Sequence, residues 1–207
     1  MRKLVVLLLV LLAVGAGAAV VWWGMPMGPA LAEVEHLRAP RIVTMPAQKG
    51  LQVTASGDPN VAGKEAFSLL MGTYYRIPGV SRGGADPAAP RARWPKGEDV
   101  PAEQWVGRYA MPVPDAVESV PDVEVPDGLA LDLVEWRYGE VAEILHVGSY
   151  DSEASTVDAL LEFVADSGYV VDGEHEEEYL KGPGMLFAGD PAGYLTVIRY
   201  PVRPRLP

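Results

Sequence analysis

From Leu4 to Trp23 the chain carries no charged residue, and the first charges beyond this run are Glu33 and Glu35. A helix of about twenty residues rising about 1.5 Å each spans about 30 Å, the thickness of a bilayer's hydrocarbon core. Arg2 and Lys3 precede the run, and Trp22 and Trp23 close it. Paired indoles at that depth suit the headgroup interface, and the positive flank faces the cytoplasm. The pattern predicts a transmembrane anchor over residues 1–23, with the N-terminus cytoplasmic and the rest of the chain outside. Membrane lipid is then one partner. A cleaved signal peptide is the alternative, with Leu4–Val14 as its apolar core and Gly15-Ala16-Gly17-Ala18 as small residues for cleavage. That reading makes the mature protein secreted. Residues 24–40 are rich in Pro, Gly and Ala and read as a linker.

Beyond residue 40 short apolar patterns alternate with turn signals. Residues 41–56 read as a strand, with Ile42, Val43, Leu51 and Val53 as its apolar positions. Gly57-Asp58-Pro59-Asn60 is a turn that opens a helix, in which Phe67, Leu70, Met71 and Tyr74 share one face. Residues 81–102 show no apolar period and read as a long loop whose Arg82, Arg91 and Arg93 are solvated. Residues 104–112 form a candidate strand, and 115–128 an acidic connection. Strands are expected at 129–138 and 141–147, followed by a helix with Val157, Leu160, Leu161 and Val164 buried. Ser155 and Asp158 fit a capping box at its start, and Gly168 ends it. Strands at 169–171, 177–180 and 194–202 complete the chain. The same order therefore occurs twice, over about 41–113 and about 130–203. This predicts an α+β fold of two similar halves, with a cleft between them.

Composition narrows the chemistry. Seventeen basic against 28 acidic residues leave a net charge of −11. A nucleic-acid surface needs Lys and Arg to displace counterions, so no nucleic-acid partner is expected. There are no cysteines, which excludes disulfides and thiolate metal sites, and only three histidines, His36, His146 and His175. No metal or cofactor is expected. No phosphate-binding glycine loop or serine nucleophile elbow is present.

Ala142-Glu143-Ile144-Leu145-His146-Val147-Gly148-Ser149-Tyr150-Asp151 resembles a signature of GyrI-like small-molecule-binding domains. His175-Glu176-Glu177-Glu178-Tyr179-Leu180 is similar to the strand that follows in that family. Thr196-Val197-Ile198-Arg199-Tyr200-Pro201-Val202 is similar to its closing strand. Ser56-Gly57-Asp58-Pro59-Asn60, then Phe67 and Tyr74-Tyr75, resembles its opening. The resemblance covers about 41–203, within a domain read as 41–207. It implies two βαββ halves related by a pseudo-twofold axis, with a ligand cleft between them. It also implies a small-molecule ligand, or hydrolysis of strained, cyclopropane-bearing electrophiles. Ser149 stands where the family has proline, and the anchor and the 81–102 segment depart from its pattern.

Strand alternation puts His175, Glu177 and Tyr179 on one face and Glu174, Glu176 and Glu178 on the other, read as solvent. By the motif match Glu177 holds the position of the family's cleft carboxylate. It is the candidate ligand-binding group, and the candidate catalytic one if there is catalysis. Trp105 and Tyr109 are candidate aromatic wall residues for a cation; Trp136 and Tyr138 share that possibility with a core role. His146 reads as a satisfied core residue, Glu143 as surface or cleft, and Tyr150 as packing. The leading reading is a non-enzymatic, membrane-tethered binder of hydrophobic or cationic ligands. The alternatives are a hydrolase of electrophilic small molecules and a non-catalytic adapter.

Overall fold

The computed structural model describes residues 28–80, 88–96, 100–183 and 188–206. The apolar run at 1–23 lies outside them; among the described residues no helix is long and apolar enough to cross a membrane.

Strands β1 (Arg41–Met45), β2 (Gln48–Ser56), β3 (Arg91–Lys96), β4 (Val106–Pro112), β5 (Leu129–Trp136), β6 (Gly139–Val147), β8 (His175–Lys181) and β9 (Leu195–Pro204) form one sheet, ordered β1-β6-β9-β8-β3-β4-β2-β5. Strand β7 (Tyr169–Val171) pairs with the far end of β9. All the pairings are antiparallel. The order reads alike from both ends. β1, β2, β3 and β4 correspond to β5, β6, β8 and β9, and β3 meets β8 at the centre. Each half is thus strand–strand–helix–strand–strand. Its first strand crosses over to pair with the other half: β1 lies on β6 and β5 on β2.

Helix α1 (Leu31–Val34) precedes the sheet, α2 (Pro59–Tyr74) lies in the first half and α3 (Ala154–Asp166) in the second. α2 buries Ala66, Leu70 and Tyr74 against Leu51, Val53 and Tyr109 of β2 and β4. α3 buries Leu160 and Val164 against Ala142, Ile144 and Ile198 of β6 and β9. The helices therefore share one face of the sheet. Gly168, at φ +78°, ends the α3 segment in the left-handed region that glycine enters without steric cost.

Several sequence expectations are corrected. The segment read as a loop over 81–102 contains β3, which sits at the centre of the sheet; 81–87 and 97–99 lie outside the described residues. Arg82 lies outside the described residues, but Arg91 and Arg93 are not solvated as expected. Arg91 and Arg93 face Glu178 and Glu176 across the β3–β8 pair. Glu176 and Glu178, expected in solvent, are withdrawn from it for the same reason, Glu176 buried at 1% exposure and Glu178 half-buried. Leu161 is 37% exposed rather than part of the α3 core face. The Ser155–Asp158 capping box does not form, because the helix begins earlier, with Glu153 at the N-cap and no side-chain cap bond.

The stretch read as a linker is packed where it is described. Leu31, Val34 and Leu37 lie against Leu145, Leu195 and Val197 on the sheet face without α2 and α3.

Candidate functional site

β3 and β8 run side by side between the two helices. Period-2 alternation sends Ala92 and Trp94 of β3, with His175, Glu177 and Tyr179 of β8, to the helix face. There the Glu177 side chain is 13% exposed. Its Oε1 accepts a hydrogen bond from the Trp94 indole N–H at 2.8 Å, and its Oε2 accepts one from the Tyr179 hydroxyl at 2.6 Å. His175 Nε2 lies 3.2 Å from Oε1, while its Nδ1 lies 2.8 Å from the Tyr200 hydroxyl.

Aromatic rings surround this carboxylate. Trp94 packs edge-on to Trp105 and Tyr109, at centroid distances of 5.5 and 5.7 Å. Phe67 of α2 contacts Tyr109 at 4.9 Å and Tyr179 at 6.0 Å. From the α3 side Tyr150 reaches Tyr179 and Tyr194, at 5.6 Å each. Tyr150 is 39% exposed and forms the open rim, whereas Tyr109 is buried. Burial and then the charge of Glu177 push the Tyr109 phenol up to about 12. Burial raises Tyr179 and Tyr150 as well, with Glu177 and Glu153 adding to both. Glu153 is itself buried at the start of α3. The phenols stay protonated, and so remain donors toward a carboxylate or a ligand acceptor.

All the candidates from sequence, Glu177, Tyr179, His175, Trp105 and Tyr109, meet on this face. Trp105 joins through its ring, while its N–H is spent on the Val100 carbonyl at 2.9 Å. Sequence reasoning missed Trp94, Phe67 and Tyr194, and took Tyr150 as packing alone. The alternation of Ala92 and Trp94 with Arg91 and Arg93 was the signal for Trp94, hidden by the charges.

Trp136 and Tyr138 are not part of this wall. They lie on the opposite face with a buried charge network. Arg199 meets Glu143 at 2.8 Å, Glu178 at 2.5 Å and Glu176 at 3.5 Å. Arg93 bonds Glu176 at 2.7 Å with its guanidinium 4.0 Å from the Trp136 ring centroid. Arg91 donates to Tyr138 at 2.7 Å, to Gln48 and to Glu178 at 3.0 Å. Glu143 is neither surface nor cleft. It is 3% exposed and held by Arg41 at 2.6 Å as well as by Arg199.

His146 is buried, with Nε2 3.1 Å from the Ser149 carbonyl and Nδ1 2.9 Å from Thr156 Oγ1. A carbonyl only accepts, so Nε2 carries the proton and Nδ1 accepts from Thr156. Both nitrogens of His146 are thus engaged in bracing the turn into α3. Among the described residues, no group of His, Asp and Glu is placed to hold a metal ion.

No family model and no curated protein matches the chain. Solved structures do. A hydrolase from Listeria innocua matches with a TM-score of 0.63 at 21% identity, over 84% of this chain and 98% of that one. The C-terminal domain of EcmrR matches with a TM-score of 0.57 at 16% identity, over 81% of this chain and 98% of that one. EcmrR in its DNA complex matches at 0.58 and 17% identity, over 84% of this chain and 63% of that one. Identities this low establish the fold and nothing finer. The chain has the mixed α+β, antiparallel-sheet fold of the EcmrR C-terminal domain.

Proposed function

We propose that the protein is a membrane-tethered small-molecule-binding domain whose site takes hydrophobic or cationic ligands. One observation carries the reading: the Glu177 carboxylate lies among aromatic rings on the helix face, with Tyr150 open to solvent. Ring faces attract a cation through their quadrupoles, and a desolvated carboxylate attracts it by charge. Apolar rings alone would select for hydrophobicity; the carboxylate adds the preference for positive charge. The tether is argued from the apolar run at 1–23 and its basic flank. The net charge of −11 favours cationic small molecules over nucleic acid.

The test is thermal stabilisation by tetraphenylphosphonium. A ligand at a hundred times its Kd stabilises the native state by about 2.7 kcal/mol. Wild type is expected to be stabilised, and Glu177→Gln to lose most of the effect. Equal stabilisation of both forms sinks the role of the carboxylate.

A second reading is hydrolysis of an electrophilic ligand. It is favoured by the short Tyr179–Glu177 hydrogen bond, a donor and a base side by side, and by the hydrolase named among the structural neighbours. Turnover of a cyclopropane-bearing alkylator, lost in Glu177→Gln, selects it. Binding without turnover rejects it.

A further inference from the structure

Gly28 is the first described residue on the N-terminal side of the domain. Its φ is +148°, and a Cβ placed on it would lie 2.3 Å from the Leu180 carbonyl oxygen. The backbone at Gly28 is thus pressed against the end of β8. It is held there by the next turn of chain, where Leu31, Val34 and Leu37 pack on Leu145, Leu195 and Val197. The Glu33 carboxylate accepts from the Ala30 N–H at 3.3 Å and stiffens the start of α1.

Only residues 24–27 separate the apolar run from Gly28. Five Cα steps, fully extended, reach at most about 18 Å. Glu177 lies three residues before Leu180 on β8, a further 10 Å or so along a strand. Both lengths are upper bounds on straight-line distance. A globular body of this size has a radius of gyration of about 16 Å and is about 40 Å across. Glu177 therefore lies about 10 Å along β8 from the contact with Gly28, well within one domain's width of the run. The same end of the sheet holds the site's open rim. Val147 of β6 and Lys181 of β8 both pair with Leu195 there. Gly148 bonds the Tyr194 carbonyl, and a Cβ on Gly182 would lie 2.6 Å from the Tyr150 hydroxyl.

We propose that the docked segment 28–37 holds this end of the domain against the bilayer, with the Tyr150 rim toward the lipid headgroups. The occupant of the Glu177 site is then an amphiphilic cation that partitions into the membrane. This rests on the tethered reading. The rim carries the exposed acidic Asp151 next to Tyr150, so attraction to anionic lipid does not hold it; the anchor does. Zwitterionic vesicles therefore suffice, and the orientation is insensitive to salt.

The chain has no cysteine, so single introduced thiols carry spin labels without competition. Asp151→Cys reports the rim. Arg137→Cys reports the opposite end of β6, about 27 Å away; both positions are exposed. The full chain is inserted into phosphatidylcholine vesicles containing a nickel-chelating lipid, and relaxation of each label by the metal is read. The label at 151 is expected to relax by at least an order of magnitude more than the label at 137. Leu31→Asp with Val34→Asp, which undocks the segment, should erase the difference while unfolding stays cooperative. Equal relaxation at the two positions, or more at 137, overturns this inference and leaves ligand binding intact. A difference that survives undocking overturns the role given to segment 28–37. A chain that fails to float with the vesicles overturns the tether and this inference together, whatever tetraphenylphosphonium does.

Discussion

The Tyr179 hydroxyl donates to Glu177, two residues earlier on the same strand, at 2.6 Å. Strand residues at i and i+2 share a face, so the pair is preset by β8 itself. Tyr179→Phe removes one donor from a part-buried carboxylate. Hydrogen bonds to charged groups contribute about 1.5–3 kcal/mol. The variant is expected to lose stability in that range by urea unfolding, and to keep tetraphenylphosphonium affinity within a few-fold. Affinity lost as completely as in Glu177→Gln would show that the hydroxyl, not the carboxylate, recognises the ligand.

Arg199 joins Glu143, Glu176 and Glu178 on the opposite face. Removing one partner of a buried ion pair costs about 3–5 kcal/mol, because the charges left behind are uncompensated. Arg199→Ala should fall in that range by chemical denaturation. Arg199→Lys should recover only part of it, since an ammonium cannot reproduce the guanidinium's fork. Full recovery by lysine would reduce the network to net charge.

Acid should expose the same network. Burial alone would raise Glu178, but Arg199 and Arg91 outweigh it and hold the carboxyl below the ordinary range. A depressed carboxyl stabilises the fold fully above its unfolded pKa of about 4.3, and this stabilisation is lost as pH falls through the lower folded value. Wild type Tm should therefore drop below about pH 4.3, with a shallower drop in Glu178→Gln. Parallel curves would assign the acid sensitivity elsewhere.

Alkali tests the site face. Tyr109 and Tyr138 are each pushed up to about 12, first by burial, then by Glu177 for Tyr109 and by Glu176 for Tyr138. A raised phenol stabilises the fold fully below its unfolded pKa of about 10, and the contribution fades as pH rises from there toward 12. In Glu177→Gln the Tyr109 phenolate should appear at lower pH while Tyr138 stays unchanged, read by phenolate absorbance with Tyr109→Phe as the assignment. A shift in both tyrosines would mean that the two faces are coupled through the sheet.

The face bearing Glu177 was legible because it needs only alternation along β8, a local rule. Most of the element order followed from apolar periods in the same way, although residues 41–56, read as one strand, are β1 and β2, which pair with different neighbours. The centre of the sheet was not legible. β3 reads Arg-Ala-Arg-Trp-Pro-Lys, and its arginines look solvated until Glu176 and Glu178, more than 80 residues away, are placed opposite them. Burial of charge depends on a partner distant in sequence, and no local pattern reveals one. Trp94 was lost with its strand, and with it the second donor to Glu177.

The exchange of first strands between halves has a consequence for how the chain is made. β1 finds its neighbour only when β6 has been synthesised, and Arg41 meets Glu143 across 102 positions. β5 in turn must reach back to β2. Neither half completes its own sheet edge, so a fragment ending near residue 128 would display β2 without β5 and strand β1 with nothing beside it. Such non-local closure slows folding and leaves bare edges that invite aggregation while synthesis continues. The two halves are thus interlocked: neither can be shed without baring an edge of the other.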